Sequence, residues 1–322
     1  MLRRLKFVAL LYLIASFDVI IERVEATNTV DECFEPVPLS LLKATPSQPK
    51  PNPQNDASRD VRLHDDARFV FIVASSNNAD WYERNLDSIF GQTYTNYHII
   101  YSDDVSTDGT ADLVEAYAKK MGKSDKITVL RNKEHLWQAG NRYRAIHMCK
   151  PADICLELDG DDWLPDNEVL AFYNDVYKDP NVWVTYGQYV TWPDMRKGKS
   201  EAIPKAIIEA NAFRSYKWVV LAMRTCYAWL FQRIAEEDFK YKGNFLITAS
   251  DLAMMFPLVE MAGARSKFIA RLTYVYNTAT PISDTKIRRD EQAMCARYIR
   301  SLPRYPLITE NPVLQLRRTT VA

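Results

Sequence analysis

The stretch FVFIVASSNNADWYERNLDSIFGQTYTNYHIIYSDD, residues 69–104, contains one complete strand–helix–strand unit. Its two apolar runs, FVFIVA (69–74) and YHIIYS (97–102), are short and continuous, which is typical of strands buried on both faces. Between them, ADWYERNLDSIF has the apolar spacing of an amphipathic helix. The unit therefore predicts two parallel strands joined by a helix that covers the sheet.

The same alternation continues along the chain. Further strand patterns occur at ITVLR (127–131), DICLEL (153–158) and VWVTYGQYV (182–190). Helical patterns occupy 108–121, 138–149 and 166–178. The first of these predicts a buried face made of Leu113, Val114, Tyr117 and Met121. Short apolar strands that alternate with amphipathic helices predict a three-layer α/β domain, a mostly parallel sheet with helices on both faces.

The composition is that of an ordinary globular protein. The 322 residues include 41 basic and 41 acidic side chains, so the formal net charge is zero. A broad nucleic-acid surface would need a basic excess, and no nucleic-acid partner is expected. The cysteines include no C-x-x-C pair, which predicts buried free thiols rather than a zinc site or a disulfide framework. They are Cys33, Cys149, Cys155, Cys226 and Cys295.

The N-terminus differs from the rest of the chain. The basic start MLRRLK precedes 15 mostly apolar residues interrupted by Asp18, which is typical of a signal peptide or short signal anchor over 1–26. An interfacial or frayed helix is the alternative. Six prolines within 35–66 predict a stem or linker over 27–67. Basic residues before the apolar segment would leave the following chain on the non-cytoplasmic side.

Two acidic clusters follow predicted strands at the point where each strand ends. SDDVSTDGT (102–110) comes after the second strand and DGDD (159–162) after the fourth. Open α/β sheets bind ligands beyond the carboxyl ends of their strands, so the clusters predict a site at that edge. Carboxylates this close repel one another unless a cation, a helix N-terminus or solvent takes up their charge.

Several ligand classes do not fit the loops at this edge. The loop after the first strand, ASSNNADW, lacks the glycines of a dinucleotide site, and the chain has no G-x-x-x-x-G-K motif. Counted from Asp159, an EF-hand would need Gly and Glu where Leu164 and Leu170 stand. What remains is a hard cation, Mg²⁺ or Mn²⁺, held by one or two carboxylates and by substrate phosphates.

Three segments, FVFIVASSNN, IIYSDDVSTDGTADLVEAY and CLELDGDDWLPDN, resemble the nucleotide-sugar-binding half of family 2 glycosyltransferases in order and spacing. The resemblance implies an A-type, Rossmann-like glycosyltransferase domain over 68–285, with a nucleotide-sugar half (68–190) and an acceptor half (191–285). Residues 286–322 would form a C-terminal helix and tail. The implied reaction is an inverting, metal-dependent transfer of a sugar from a nucleotide diphosphate sugar to a hydroxyl of a glycan, lipid or protein. We expect the donor to be a UDP-sugar.

The resemblance also implies roles for individual residues. Asp103 would accept a hydrogen bond from the uracil ring. Asp159 would contact the ribose or the metal shell, and Asp161 would ligate Mn²⁺ or Mg²⁺ between the phosphates. Asp251 would be the catalytic base. The other implied nucleotide-sugar contacts are Ser75, Asn77, Asp104 and Arg142.

Four positions depart from the family pattern. Val105 and Trp137 stand where the family usually has Gly, Tyr143 where it has Asn, and Ser250 where it has Glu before the base. No histidine follows His147, so the late histidine metal ligand of some A-type enzymes is absent. These departures leave the sugar preference and the level of activity open.

Each acidic position also has a structural alternative. Asp162 and Asp166 can be first-turn charges of the helix that follows them. Asp108 is expected to be an N-cap or turn residue, and Asp251 can equally cap its own helix. Trp163 is expected to pack rather than to stack on a sugar.

Two other functions remain compatible with the pattern. One is a non-catalytic nucleotide-sugar or glycan-binding protein that has kept the pocket. The other is a sugar-phosphate nucleotidyltransferase, which would need a Gly-rich, basic first loop that ASSNNADW does not supply.

The expected location follows from the leader. An active enzyme behind such a segment fits a membrane-associated, Golgi-type position in the secretory pathway of a eukaryote, or otherwise the cytoplasmic face of a membrane. The amphipathic segments 215–234 and 287–302 are expected to pack on the catalytic core, with membrane contact as the alternative.

Overall fold

The computed structural model describes residues 67–280 and 288–312. The predicted leader, nearly all of the predicted stem and the last ten residues lie outside the described residues. Within the described ranges, no helix is both long enough and apolar enough to span a membrane.

The described residues contain nine strands in two sheets. They are β1 (Phe69–Ser75), β2 (Tyr97–Asp103), β3 (Ile127–Arg131), β4 (Ile154–Asp159), β5 (Val184–Trp192), β6 (Thr225–Tyr227), β7 (Lys240–Tyr241), β8 (Asn244–Phe245) and β9 (Ser266–Asn277). The main sheet has seven strands in the order β3-β2-β1-β4-β6-β5-β9, and β7 and β8 form a small hairpin.

Eight α-helices surround the main sheet in the described part of the chain. They are α1 (Tyr82–Phe90), α2 (Thr110–Lys120), α3 (Trp137–His147), α4 (Val169–Val176), α5 (Lys205–Glu209), α6 (Ala228–Phe231), α7 (Ser250–Ala262) and α8 (Arg289–Ser301). All five predicted strands are present within two residues of their predicted bounds. The prediction of a mostly parallel α/β sheet is therefore confirmed.

Strand direction decides which loops meet at the site. The strands β3, β2, β1 and β4 are parallel, β6 runs antiparallel between β4 and β5, and β5 is parallel to β9. In the main sheet, all the strands except β6 therefore end at one edge, where β6 begins. Thr225 pairs with Leu156, and Glu157 N donates to Arg224 O at 3.1 Å. The residue just before β6 thus lies beside the end of β4.

The core explains why the apolar runs become strands. Every residue of β1 is buried, and all of β4 except its last residue is buried. Burying a large apolar side chain contributes about 1.5–3 kcal/mol, so a strand enclosed on both faces is strongly favoured over an exposed one. The continuous apolar patterns of the sequence have this cause.

The buried face of α2 differs from the prediction. Val114 and Tyr117 are buried, but Leu113 is 36% exposed and Met121 is 43% exposed. The buried face is completed instead by the small residues Thr110, Ala111 and Ala118. Small side chains allow a helix to approach its neighbours closely, so the largest apolar residues did not mark the packed face.

The two amphipathic segments pack against the core. In α8, Cys295 and Ile299 are almost completely buried in the main hydrophobic cluster. Leu230 and Phe231 of the earlier segment have no exposed surface. Packing on the core, the expected use of both segments, is confirmed. The expected buried free thiols are also found at Cys149, Cys155 and Cys226.

Candidate active site

The end of β2 presents a buried carboxylate oxygen that has no hydrogen-bond partner. Asp103 is only 5% exposed, and its Oδ2 accepts from the Ser106 backbone N–H at 3.2 Å. Its Oδ1 is buried and receives no donor from the described residues. Leaving such an acceptor unsatisfied is costly, so this position suits a ligand N–H.

The loops after β1 and β2 are joined by hydrogen bonds that shape this pocket. Asn77 N–H donates to Ser106 Oγ at 2.9 Å, and Asn77 Oδ1 accepts from Thr107 N–H at 2.9 Å. Ser75 Oγ accepts from Asn78 Nδ2 at 2.9 Å and from Tyr101 Oη at 2.8 Å. Ser75 and Asn77 thus lie beside Asp103 as predicted, but their side chains bond to the protein. Donor contact by either residue stays a prediction.

Asp104 organises the chain before α3. Its Oδ1 accepts from Asn132 Nδ2 at 2.7 Å and Leu136 N–H at 2.9 Å. Its Oδ2 accepts from Trp137 N–H at 3.0 Å and lies 3.3 Å from His135 Nδ1. A carboxylate has about four acceptor positions, and here each has a protein partner. The geometry therefore gives the Asp104 carboxylate a structural role, which does not favour the predicted donor contact.

Asp108 has the expected turn role. Its Oδ1 accepts from the Thr110 backbone N–H at 3.0 Å, and its Oδ2 accepts from Ala79 N–H at 2.9 Å. The side chain thereby starts the turn into α2 and connects it to the β1 loop. The expectation of a turn residue is confirmed.

The turn after β4 lies directly on the end of β1. Gly160 N–H donates to Ala74 O at 3.0 Å, and a Cβ at Gly160 would lie 2.8 Å from Ser75 Oγ. Glycine fits here because a Cβ would clash with the side chains of Ser75 and Asn78. Asn85 Nδ2 then binds both Asp159 O at 3.0 Å and Asp162 O at 2.7 Å. No sequence pattern indicates this role for Asn85, since the residue lies on a helix far from the turn in sequence.

Asp159 and Asp161 bring hard oxygen ligands to the edge of the sheet. Asp159 Oδ1 accepts from Arg142 Nη2 at 2.9 Å, and the Asp161 carboxylate has no hydrogen bond from another residue within the described ranges. Burial and the nearby Asp159 carboxylate raise the pKa of Asp161 to about 7. Two close carboxylates, one of them bound by no other described residue, fit a Mg²⁺ or Mn²⁺ ion.

The protein offers this position no complete metal cage. Among the described residues, no group of three or more His, Cys, Asp or Glu side chains is placed to hold a metal. A cation bound by Asp159 and Asp161 would therefore share its coordination with substrate oxygens and water, which is the usual mode for Mg²⁺.

Neither Asp162 nor Asp166 lies in the first turn of α4, so the prediction of first-turn charges was wrong, although Asp166 Oδ1 accepts from the backbone N–H of the N-cap residue Glu168 at 2.8 Å. Asp162 is completely buried, and its carboxylate accepts from Tyr274 Oη at 2.5 Å and Asn277 N–H at 2.7 Å. Burial raises the pKa of Asp162 well above its usual range. Asp166 accepts two hydrogen bonds from Arg271 Nη2 at 3.0 Å. Both residues connect the turn after β4 to β9.

Asp251 lies in the first turn of α7 and faces an arginine. Its Oδ2 accepts from Arg224 Nη2 at 3.0 Å, and its side chain is 23% exposed. The N-cap position belongs to Ala249, whose backbone is left-handed at φ 58°. The capping alternative for Asp251 is therefore wrong, because its described side-chain bond goes to Arg224.

A buried carboxylate joins the two ends of the site. Arg142 Nε lies 3.0 Å from Glu157 Oε1, an ion pair without hydrogen-bond alignment. Arg224 Nη1 donates to Glu157 Oε2 at 3.0 Å. The ion pairs thus run continuously from Asp159 through Arg142, Glu157 and Arg224 to Asp251.

Arg142 is enclosed by these partners. It is 2% exposed, and its Nη1 donates to Ser250 Oγ at 2.5 Å. Burial lowers its pKa, but the carboxylates of Glu157, Asp159 and Asp251 raise it by more, so the net shift is upward. With each guanidinium nitrogen facing a protein group, Arg142 holds Asp159 in place. Direct contact with the donor stays a prediction that this arrangement does not favour.

Reasoning from sequence missed Glu157 and Arg224. Glu157 was assigned only to the strand pattern DICLEL, and Arg224 to an amphipathic segment. One signal was present, because an acidic residue inside a strand buried on both faces needs a cationic partner. No local sequence pattern indicated which of the 41 basic residues is the partner of Glu157.

The departures from the family pattern have structural counterparts. Val105 and Trp137, which replace glycine, both have left-handed backbones, at φ 61° and φ 55°. Such a backbone is strained for a side chain, above all a β-branched one. Tyr143 packs on Phe239, and Ser250 accepts from Arg142 as described above.

Trp163 packs as expected. Its ring stacks on Trp81 at a centroid distance of 6.4 Å and meets Trp192 edge-on at 5.6 Å. The Arg84 guanidinium lies 3.7 Å from its ring centroid. These contacts occupy the indole of Trp163 and attach the turn after β4 to β5.

The sequence of this chain matches a model of one protein family. The model of Glycosyl transferase family 2 matches residues 70–239, which is 170 of the 322 residues. The chain belongs to glycosyl transferase family 2. This membership confirms the predicted family and enzyme class, and the matched segment contains both acidic clusters, the turn after β4 and Arg224. No curated protein matches the sequence.

Solved structures agree on the fold. TarS 1–349 of S. aureus in complex with UDP-GlcNAc matches with a TM-score of 0.54 and 16% identity, over 72% of this chain and 65% of that chain. The mannosyltransferase PcManGT from Pyrobaculum calidifontis in complex with GDP-Man and Mn²⁺ matches with a TM-score of 0.50 and 20% identity, over 79% and 69%. The chain thus spans slightly less than two thirds of TarS 1–349. At these identities the likeness shows the fold alone, and it confirms the A-type glycosyltransferase architecture.

Proposed function

We propose that this protein is an inverting glycosyltransferase that moves a sugar from a UDP-linked donor to a hydroxyl acceptor. One observation carries the proposal. Along one edge of the sheet lie the unpartnered Asp103 oxygen, then the Asp161 carboxylate, which no other described residue binds, and then the partly exposed Asp251 carboxylate. A nucleotide sugar and its acceptor would need partners in the same order, first for the nucleobase, then for the diphosphate and then for the attacking hydroxyl.

The nucleobase would be recognised at the end of β2. The imide N–H of uracil is a donor of the kind that the buried Oδ1 of Asp103 lacks. Cytosine has an acceptor at the equivalent ring nitrogen, so it cannot make this contact. The proposal of UDP rests on this difference and agrees with the UDP-GlcNAc in the TarS complex.

The diphosphate would lie at the turn after β4. Asp159 and Asp161 would hold Mn²⁺ or Mg²⁺, and PcManGT was solved with Mn²⁺. The chemistry that a bound cation supplies is Lewis-acid stabilisation of the leaving diphosphate. Arg142 fixes Asp159 Oδ1, and Gly160 allows the turn to approach β1.

The acceptor would be activated by Asp251. Arg224 holds Asp251 Oδ2, which leaves Oδ1 without a hydrogen-bond partner in the described ranges. This oxygen takes the proton of the acceptor hydroxyl as the hydroxyl oxygen attacks the anomeric carbon. A single displacement of this kind inverts the anomeric configuration and needs no covalent intermediate.

A panel of nucleotide sugars tests the proposal. The folded protein is incubated with Mn²⁺ and each nucleotide sugar, and the released nucleoside diphosphate is measured. We expect release from one or more UDP-sugars and none from CDP-linked compounds. Binding of UDP without release from any donor would favour the alternative of a non-catalytic binding protein.

The proposed location rests on the leader alone. The basic, apolar N-terminus favours membrane association, with a Golgi-type lumen-facing enzyme in a eukaryote or the cytoplasmic face of a membrane otherwise. A glycan, lipid or protein acceptor would be compatible with either location. Fractionation of cells that express the full chain tests this, and recovery in the soluble cytosolic fraction would contradict it.

A further inference from the structure

The ion-pair chain from Asp159 to Asp251 is open at its ends and buried in its middle. The side chains of Asp159 and Asp251 are 24% and 23% exposed, whereas those of Arg142 and Glu157 are 3% and 5% exposed. The terminal groups can therefore meet substrate. The central groups cannot, so they act on the reaction only through their neighbours.

Among the described residues, Glu157 is the carboxylate that forms a direct ion pair with both arginines of this chain of ion pairs. Its Oε1 faces Arg142 and its Oε2 faces Arg224, at 3.0 Å each. Without that negative charge, two guanidinium cations would lie close together in a region of low dielectric and would repel each other. A guanidinium also has a rigid, planar set of donors, so fixing one side of it orients the other.

We propose that Glu157 is a positioning residue that sets the separation of Asp159, on the donor side, from Asp251, the base. This rests on the proposed function, which assigns the base role to Asp251. Through Arg142 it orients the carboxylate at the end of β4, and through Arg224 it orients the carboxylate on α7. Glu157 itself touches neither donor nor acceptor.

The first test is a double-mutant cycle in stability, which needs no activity. Glu157→Gln, Asp251→Asn and the double variant are unfolded in urea. Because both carboxylates act on Arg224, we expect the two effects on the unfolding equilibrium constant to be non-additive by at least about threefold. Additivity within about twofold would overturn the coupling.

The chain offers a matched control for this cycle. Glu260 is a buried carboxylate on the same helix as Asp251, and it is ion-paired with Arg214 at 2.6 Å. Arg214 makes no described contact with Asp251. The cycle of Glu260→Gln with Asp251→Asn should therefore be additive within about twofold.

The second test separates turnover from donor binding. For Glu157→Gln we expect UDP release to fall about tenfold per folded protein, because supporting partners of site ligands typically contribute about 10–100-fold. Affinity for UDP with Mn²⁺ should fall by less than turnover does, because Asp103 and Asp161 keep their surroundings and only Asp159 loses part of its support. Glu260→Gln should change neither quantity. Turnover of Glu157→Gln within about threefold of wild type would overturn the proposal.

Arg224→Lys gives the same information if Glu157→Gln does not fold. A single ammonium keeps the charge but cannot hold two carboxylates in the geometry of a guanidinium. We expect the same loss of turnover with retained UDP affinity, and normal turnover would overturn the proposal. If wild type releases no UDP from any nucleotide sugar, the proposed transfer fails, while the unfolding cycle still decides the coupling.

Discussion

The two halves of the site treat their acidic side chains differently. On the side of β2 and β4, Asp103 keeps a buried oxygen without a donor, and the Asp161 carboxylate has no hydrogen bond from another described residue. On the side of β6 and α7, Asp251 is paired with Arg224, and Glu157 of the buried part of β4 is paired with the same arginine. An open oxygen can still take a ligand N–H or a cation, whereas a paired carboxylate is held in a fixed position. Under the proposed function, the half that would receive the donor is open to a ligand, and the half that contains Asp251 holds its carboxylates in fixed positions.

Among the substitutions that test this division of the site, Asp251→Asn should change turnover the most. Loss of a positioned base typically lowers turnover by about 10²–10⁴-fold, with little change in donor binding. UDP release and UDP affinity are measured on the same folded protein. Asp238→Asn is a control, because Asp238 is an acid whose described partner is Tyr305 rather than an arginine. Turnover within about threefold of wild type would require another base.

Removal of the divalent cation should abolish most donor binding. Neither Asp159 nor Asp161 can attract phosphate oxygens directly, because like charges repel at close range. We expect the affinity for UDP to fall more than about tenfold when a chelator replaces Mn²⁺. Calorimetry in the two conditions measures it, and titration of uridine, which has no phosphate, is the control. Equal UDP affinity in both conditions would exclude a role for the cation.

Asp103→Ala should weaken UDP selectively. A hydrogen bond to a charged acceptor contributes about 1.5–3 kcal/mol, which is roughly a tenfold to hundredfold change in affinity. UDP binding should fall by that factor, and CDP binding should change much less, so the preference for UDP would shrink. Competition calorimetry with the two nucleotides provides the comparison. An unchanged ratio would place the nucleobase elsewhere.

Val105→Gly should stabilise the protein. The left-handed backbone at Val105 strains a β-branched residue by about 1–2 kcal/mol, and glycine relieves the strain while adding about 0.5–1 kcal/mol of unfolded-state entropy. A net gain of up to about 1 kcal/mol is expected in urea unfolding. Val114→Gly, at a buried position in α2, should instead lower stability. A loss at Val105 would show that its side chain stabilises the loop by more than the strain.

The strands, the edge that holds the site and the two acidic loops were predictable because their signals are local. Buried apolar runs mark the strands, and parallel strands carry their loops to one edge. Asp161 and Asp162 show the limit, since two adjacent aspartates differ in their hydrogen bonds: Asp162 has two protein partners and Asp161 has none from another described residue. Only the position of β9, which brings Tyr274 to Asp162, decides which of them has these partners.

The half of the site that contains Asp251 could be predicted only in part. Glu157 contacts Arg224 across 67 positions, and Arg224 contacts Asp251 across a further 27. These contacts depend on β6 entering the sheet antiparallel, and no local pattern encodes that direction. The base role of Asp251 is predicted from the family resemblance alone, whereas its pairing with Arg224 required the structure.

The most direct test compares Asp161→Asn with Asp251→Asn in two measurements made on the same proteins, the affinity for UDP in Mn²⁺ and the rate of UDP release. The division of the site predicts opposite outcomes. Asp161→Asn should lose UDP affinity by about tenfold or more, whereas Asp251→Asn should keep that affinity and lose turnover. If Asp251→Asn lost UDP affinity as strongly as Asp161→Asn, or if Asp161→Asn bound UDP normally, the division into a binding half and an orienting half would be contradicted.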